Sequence, residues 1–229
     1  MSLDNKKILI VDDDYYFRLV LQKNLTYHNH KPSLAENAKH AQQMIGLDTF
    51  DLVISDIRMP EMNGIQLLHW IKSNHKIPVV LMTGFSELLE TQEGAQLGAD
   101  GFLAKPFKTE DLLEVIAACF PSEEDNGPKE NIDSQFCKIS IDDFISGREM
   151  QFDISIRITE FKYVKIAHGG ENLPPDRIKS YKEKNIQFLY MKKDDFKKYL
   201  GFNLSLANAV TKAKNIDHQK KINFFNLLV

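Results

Sequence analysis

The first half of this sequence predicts an α/β domain in which a parallel sheet is covered by helices on both faces. Five short apolar segments alternate with segments that carry apolar residues at helical spacing. The five segments read as continuously apolar, as in strands that are buried on both faces. Short loops connect them, and this is typical of repeated β-α units.

Each β-α unit has its own local signals. We predict strands at residues 7–12, 32–35, 51–56, 78–83 and 101–105. We predict helices at residues 15–27, 38–47, 65–74, 87–97 and 110–119. In the first helix, Phe17 and Val20 share one face with two leucines and are expected in the core. Asn37 and Thr109 are expected to cap the helices that follow them.

Polar residues stand where four of these strands end. They are Asp12, Asp13, Asp56, Thr83 and Lys105. Parallel strands have their carboxyl ends at one edge of the sheet, where ligand crevices form, so we expect these side chains to lie together. Taken alone, Asp56 also fits an ordinary turn residue, because Pro60 and Gly64 follow it.

The predicted cluster favours phosphoryl chemistry. Three carboxylates at one edge repel one another unless a cation compensates, and Mg²⁺ on Asp12 and Asp13 meets that need. Asp56 then remains as a carboxylate nucleophile toward phosphorus, which forms an aspartyl phosphate. Lys105 supplies positive charge, and the Thr83 hydroxyl is placed to donate to a phosphoryl oxygen.

The motifs around these residues resemble the signature set of two-component response regulator receiver domains. They are Val11-Asp12-Asp13, Asp56 with Met59-Pro60 and Asn63-Gly64, Thr83-Gly84, and Lys105-Pro106-Phe107. The resemblance covers about residues 5–121 and implies a flavodoxin-like sheet with strand order 2-1-3-4-5. It also implies that a histidine kinase or phosphotransfer protein phosphorylates Asp56. The implied Mg²⁺ ligands are Asp12, Asp13, Asp56 and the backbone carbonyl of Arg58.

The same resemblance implies a switch that reads the phosphate. Thr83 and Phe102 match the family's switch pair, in which a hydroxyl drawn toward the phosphate vacates space for an aromatic ring. Simple core packing of Phe102 is the alternative interpretation. In this family the peptide between Lys105 and Pro106 is typically cis, a minority state elsewhere.

The mouth of the predicted pocket carries Gly84, Arg58 and Phe85. Gly84 leaves the approach to Asp56 uncrowded, and we hypothesise that Arg58 and Phe85 shield the phosphoryl group from water. Haloacid-dehalogenase-like phosphatases also combine Asp, Mg²⁺, Thr and Lys, but they need a second Asp at the position of Arg58. The sequence therefore predicts a phosphoacceptor switch rather than an enzyme.

Charge divides the chain into two parts. Residues 1–128 carry a net charge of −8 and residues 129–229 a net charge of +5, which together give the −3 of the whole chain. We predict a receiver domain at 1–121, a linker at 122–133 and a small α+β module at 134–229. No signal peptide or membrane-spanning run is visible, so the expected location is cytoplasmic.

The second part predicts a β-β-α-β-α order followed by a terminal helix. After a docking turn at 139–144, we expect strands at 151–158, 161–167 and 187–191. Helices are expected at 174–184, at 194–200 and from 203 onward. Alternation of Phe152, Ile154 and Ile156 with polar residues indicates a sheet with one solvated face.

The sequence leaves three outputs open for this module. The leading prediction is docking of a downstream protein partner or domain. The second is the N-terminal regulatory part of an HD-GYP cyclic-di-GMP phosphodiesterase regulator, since residues 176–199 resemble the module before such domains, although no His-Asp or Gly-Tyr-Pro motif follows. The third is a nucleic-acid or cyclic-dinucleotide reader, suited to the basic charge. DNA is disfavoured because no helix-turn-helix pattern precedes the terminal helix, and the oligomeric state is left open.

Overall fold

The computed structural model divides into two compact units, Met1–Lys129 and Glu130–Val229, and each is described by itself. The structure describes residues 5–84, 94–120, 135–142, 144, 149–159, 162–195 and 198–199. The predicted linker at 122–133 and the predicted terminal helix lie outside these residues. Across the described ranges, no helix is both long enough and apolar enough to span a membrane.

The first unit is a five-stranded parallel sheet flanked by helices. Its strands are β1 (Lys7–Val11), β2 (Lys31–Ala35), β3 (Leu52–Asp56), β4 (Val79–Thr83) and β5 (Gly101–Ala104). Its helices are α1 (Tyr15–Tyr27), α2 (Ala38–Leu47), α3 (Gly64–Asn74) and α4 (Thr109–Ala118). The strand order is β2-β1-β3-β4-β5, which confirms the predicted order and fold class. Of the helix predicted at 87–97, residues 94–96 are helical and 87–93 lie outside the described residues.

The core of this unit lies against the central strands. Every residue of β3 and β4 is buried. On one face, apolar side chains of β1, β3 and β4 pack with Leu21 and Leu25 of α1 and with Leu112 and Ile116 of α4. Full burial of such a side chain contributes about 1.5–3 kcal/mol. The strand ends are therefore carried on a rigid support.

The buried face of α1 differs from the prediction at one position. Val20 was expected in the core, but it is 62% exposed. Arg18 is buried instead, and its guanidinium donates a hydrogen bond to the backbone carbonyl of Asp12. A buried guanidinium requires such a partner, and periodicity alone does not reveal it.

The predicted helix caps were right once and wrong once. Asn37 caps α2 by accepting a hydrogen bond from the His40 N–H at 2.8 Å. Thr109 does not cap α4, because it is the first helical residue and its Oγ1 accepts from Asn24 Nδ2. The Asp111 carboxylate reaches back to the Lys108 N–H at 2.9 Å and satisfies that donor instead.

The second unit is a four-stranded antiparallel sheet with one described helix that has named bounds. Its strands are β6 (Phe136–Ser140), β7 (Ile154–Thr159), β8 (Lys162–Ala167) and β9 (Phe188–Lys192), and its helix is α5 (Pro175–Glu183). The strand order is β6-β9-β7-β8. The β7–β8 hairpin, α5 and β9 confirm the predicted elements. Of the helix predicted at 194–200, residues 193–195 and 198–199 are helical.

The prediction was wrong about the start of this unit. The docking turn expected at 139–144 overlaps a strand, β6, which pairs along its whole length with β9. The observed order is therefore β-β-β-α-β. Phe136–Ser140 has no clear alternation of apolar and polar residues, so its strand character depends on a partner some fifty residues away.

Candidate acidic phosphoacceptor site

Three carboxylates converge at the carboxyl ends of β1 and β3. Oxygen atoms of Asp12, Asp13 and Asp56 all lie within 4.8 Å of one another. Asp12 is 1% exposed and Asp56 is 8% exposed, whereas Asp13 is exposed. A set of hard oxygen donors with one solvent-facing member suits a hard divalent cation such as Mg²⁺. The residues present therefore fit the predicted metal.

Lys105 links two of these carboxylates. Its Nζ lies 2.8 Å from Asp12 Oδ2 and 2.7 Å from Asp56 Oδ1. Burial lowers the pKa of Lys105, but the hydrogen bonds and charges of Asp12 and Asp56 outweigh burial and hold its pKa above the ordinary value. The ammonium is therefore charged at neutral pH. The peptide that joins Lys105 to Pro106 is cis, as the resemblance implied.

An aromatic pair supports the Lys105 ammonium, and sequence reasoning missed it. Lys105 Nζ lies 4.4 Å from the centre of the Phe17 ring, a distance at which the ring face attracts a cation. The Phe17 ring packs edge-on against Phe107, with 6.0 Å between their centroids. The helical spacing of Phe17 predicted only a core residue. Its second role depends on where α1 meets the loop after β5.

The backbone around Asp12 is fixed by the start of α1. The Asp14 N–H donates to Asp12 Oδ1 at 2.8 Å, and Arg18 donates to the Asp12 carbonyl. Asp14 itself caps α1 by accepting from the Phe17 N–H at 3.0 Å. The position of Asp14 just before the helix was a readable capping signal. The role of Arg18 had no signal in the sequence.

The loop after Asp56 is held by a close backbone approach at Gly64. A Cβ atom at Gly64 would lie 2.0 Å from the Asp56 carbonyl oxygen, so no other residue fits without a shift of the backbone. The Gly64 N–H also donates to the Ile57 carbonyl at 2.8 Å. Asn63 caps α3 in a reciprocal pair with Gln66. Within this loop the Arg58 side chain is exposed.

Thr83 and Phe102 lie on the same face of neighbouring strands. Thr83 pairs in register with Ala104, and Phe102 pairs with Leu81 two residues earlier. Thr83 is buried, and its Oγ1 donates to the Gly84 carbonyl at 3.1 Å. Phe102 is also buried. The structure thus places the two residues of the predicted switch as diagonal neighbours, while Phe85 lies outside the described residues.

Comparison with known proteins points to one family. The family model described as response regulator receiver domain matches residues 8–117. Response regulator MprA of Mycolicibacterium vanbaalenii is 30% identical over 178 residues, which are 75% of this chain and 77% of that protein. Response regulator protein FleR of Pseudomonas aeruginosa is 35% identical over 127 residues, 53% of this chain and 27% of that protein.

Solved structures give matches over the same half of the chain. A response regulator receiver domain protein from Clostridium thermocellum is 25% identical and covers 50% of this chain and 93% of its own, with a TM-score of 0.48. The chemotaxis protein CheY4 of Vibrio cholerae is 28% identical and covers 51% and 99%, with a TM-score of 0.47.

Proposed function

The chain belongs to the response regulators, and we propose that its receiver domain is a Mg²⁺-dependent phosphoacceptor in which Asp56 takes a phosphoryl group from a histidine kinase or phosphotransfer protein. The observation that carries this proposal is the double ion pair of Lys105 with Asp12 and Asp56 inside a three-carboxylate cluster. In this domain Asp56 is consumed once per signal, so no small substrate is turned over.

The proposed metal ligands are Asp12, Asp13, Asp56 and the backbone carbonyl of Arg58. When bound, Mg²⁺ neutralises carboxylate charge and polarises the phosphoryl oxygens. Asp13 is the exposed member of the three, so its carboxylate is the first that an entering cation meets. Asp12 is held on both sides by the backbone contacts described above, so its oxygens stay in place as the cation arrives.

In the proposed transfer, an Asp56 carboxylate oxygen attacks phosphorus and a new P–O bond forms as the bond from phosphorus to the donor nitrogen breaks. The donor imidazole keeps that electron pair and takes up a proton. Lys105, already 2.7 Å from Asp56, follows the negative charge onto the phosphoryl oxygens. The hydroxyl of Thr83 and the backbone at Gly84 contact the remaining oxygen.

The proposed output is a rearrangement of Thr83 and Phe102. Thr83 exchanges its bond to the Gly84 carbonyl for one to the phosphate, and the Phe102 ring moves into the space that is vacated. Their diagonal placement on one face supports this coupling. The second unit carries the output of the switch, and Arg58 and Phe85 shield the phosphoryl group from water.

Incubation with acetyl phosphate and Mg²⁺ tests the proposal, with phosphorylated protein separated by Phos-tag electrophoresis. Wild type is expected to shift, and Asp56→Asn is expected to remain unshifted. Asp14→Asn is the matched control, since Asn caps helices as well as Asp and the substitution removes a neighbouring carboxylate from outside the cluster. Equal shifts for wild type and Asp56→Asn would refute the assignment of Asp56.

A further inference from the structure

The four strands of the second unit have an unusual charge composition. None of the residues in these strands is acidic. Five are cationic: Lys138, Arg157, Lys162, Lys165 and Lys192. Because both signs are normally interspersed on a protein surface, the described part of this sheet presents a positive field. Such a field favours an anionic partner.

The aromatic residues of these strands all stand on one face. On the opposite face, alternate positions such as Ile139, Ile156 and Leu189 are buried. We call the other side the open face, and it is defined by Phe136, Lys138, Arg157, Tyr163, Phe188 and Tyr190. Each of these six side chains is partly or fully exposed to solvent. Rings and cations therefore share one accessible surface.

The open face is concave. Phe136 and Tyr163 belong to the two edge strands, β6 and β8, which would stand about 14 Å apart in a flat sheet. Their rings are nonetheless stacked in parallel, with 4.1 Å between centroids. The Tyr190 ring meets Tyr163 edge-on at 5.2 Å. The sheet thus curls toward this face, and Ser155 beneath the rings is buried.

Cations lie beside these rings. Lys138 Nζ is 3.5 Å from the centre of the Phe188 ring. Arg157 is the register partner of Tyr163, and Lys138 is the register partner of Tyr190. A single-stranded nucleic acid needs this combination, since its bases stack on aromatic rings and its phosphates need cations a few ångströms away.

We propose that the open face of the second unit binds a short segment of single-stranded nucleic acid. Bases stack on the ring cluster of Phe136, Tyr163 and Tyr190, and the backbone follows Lys138 and the neighbouring cations. Duplex DNA is not the expected ligand, because its bases are already stacked and are not available to these rings. The sequence had favoured a protein partner, and this inference names a different class. It does not depend on phosphorylation of Asp56.

Two other occupants fit part of the observations. An acidic protein segment would satisfy the cations but would gain little from stacked rings. Internal packing alone would account for the rings, but it would leave the bias toward positive charge without a use. Each of these alternatives predicts a different response to removal of a ring and removal of a charge.

Fluorescence anisotropy with the full chain tests the proposal. The probes are labelled 12-mers of oligo(U) and oligo(dT), a duplex of the same length, and labelled heparin as a polyanion without bases. We expect saturable binding of the single strands below about 100 μM at moderate salt, with weaker binding of the duplex. The preference between oligo(U) and oligo(dT) distinguishes RNA from DNA as the source of the strand.

Variants separate stacking from charge. Tyr190→Leu is expected to weaken single-strand binding by about fivefold to a hundredfold, while Tyr190→Phe retains the affinity. Tyr27→Leu is the aromatic control, since Tyr27 is an 84% exposed residue of the first unit. Lys138→Gln is expected to reduce the slope of log affinity against log salt by about 0.7, and Lys179→Gln on α5 is the matched charge control.

Several results would overturn the proposal. They are absence of binding to every probe, equal affinity for heparin and oligo(U), preference for the duplex, and unchanged binding by Tyr190→Leu with loss by Lys138→Gln. Thermal melting of each variant verifies folding, and the Tyr190→Phe and Lys138→Gln results decide the question if Tyr190→Leu unfolds. Asp56→Asn is expected to bind these probes as the unphosphorylated wild type does, so this test and the phosphoacceptor test fail separately.

Discussion

The ammonium of Lys105 lies over the face of the Phe17 ring while it bridges Asp12 and Asp56. A lysine side chain has four rotatable bonds and loses entropy when its end is held in place. The ring and the two carboxylates together confine the ammonium to the position that the proposed transfer uses. Phe17 is thus expected to act through Lys105, as a positioning residue.

Replacement of Phe17 tests this role. Phe17→Leu keeps an apolar side chain but removes the ring face, and we expect phosphorylation by acetyl phosphate to slow by about threefold to tenfold. Phe17→Trp offers a stronger cation–π partner and is expected to retain the rate. The measurement is the initial rate at saturating Mg²⁺, with Mg²⁺ affinity followed by calorimetry. Loss of rate in both variants, or an equal loss of Mg²⁺ affinity, would indicate a packing role only.

Replacement of Lys105 is expected to move two quantities in opposite directions. Lys105→Gln removes the cation that is paired with two metal-site carboxylates, so Mg²⁺ is expected to bind several-fold more tightly. The same change removes the charge that meets the phosphoryl group, so phosphorylation is expected to fall by at least a hundredfold. Titration calorimetry and Phos-tag electrophoresis measure the two effects. Weaker Mg²⁺ binding would contradict the competition between Lys105 and the metal.

Two glycines provide a matched pair of alanine substitutions. Gly64→Ala places a methyl group against the Asp56 carbonyl, and we expect a loss of more than about 2 kcal/mol in unfolding free energy. Gly46 is an exposed position near the end of α2 with no atom within 4 Å of a built Cβ. Gly46→Ala is expected to stabilise the chain by about 0.5–1 kcal/mol, through helix propensity. Urea unfolding measures both, and equal effects would refute the close approach at Gly64.

The second unit provides a pH-dependent prediction at Asp153. Burial raises the pKa of Asp153, but the Gly169 N–H, Lys165 and His168 outweigh burial and leave its pKa below the ordinary value of 3.8. A depressed pKa contributes stability above 3.8, and that contribution is lost as the pH falls through the folded-state pKa. Asp153→Asn is therefore expected to cost about 1 kcal/mol or less at pH 7, and nothing well below pH 3.8. Urea unfolding at a series of pH values checks this, and a constant difference across the series would contradict it.

The sequence predicted most of the first unit because its signals are local or repeated. Continuous apolar runs identified the strands, and the rule that parallel strands share one edge was enough to place Asp12, Asp56 and Lys105 together. The residues that were missed act through tertiary neighbours. Arg18 is buried only because the Asp12 carbonyl lies above it, and Phe17 meets Lys105 only when α1 packs beside β5.

The second unit was harder to predict because its contacts are distant in sequence. The β7–β8 hairpin was read from alternation and a short connection. β6 was missed because its partner is β9, and the segment carries both an aromatic and a charged residue on its open face. The positions that define the open face become a surface only when β6 and β8 curl toward each other.

The double ion pair of Lys105 has a consequence for how the protein responds to its surroundings. Two of the three clustered carboxylates already have a resident counter-charge, so the receiver domain reaches its folded shape without waiting for a divalent cation. Fluctuations in magnesium concentration then change how quickly a message is written, while the number of molecules able to receive one stays constant. The lysine separates the supply of competent receivers from the supply of the ion.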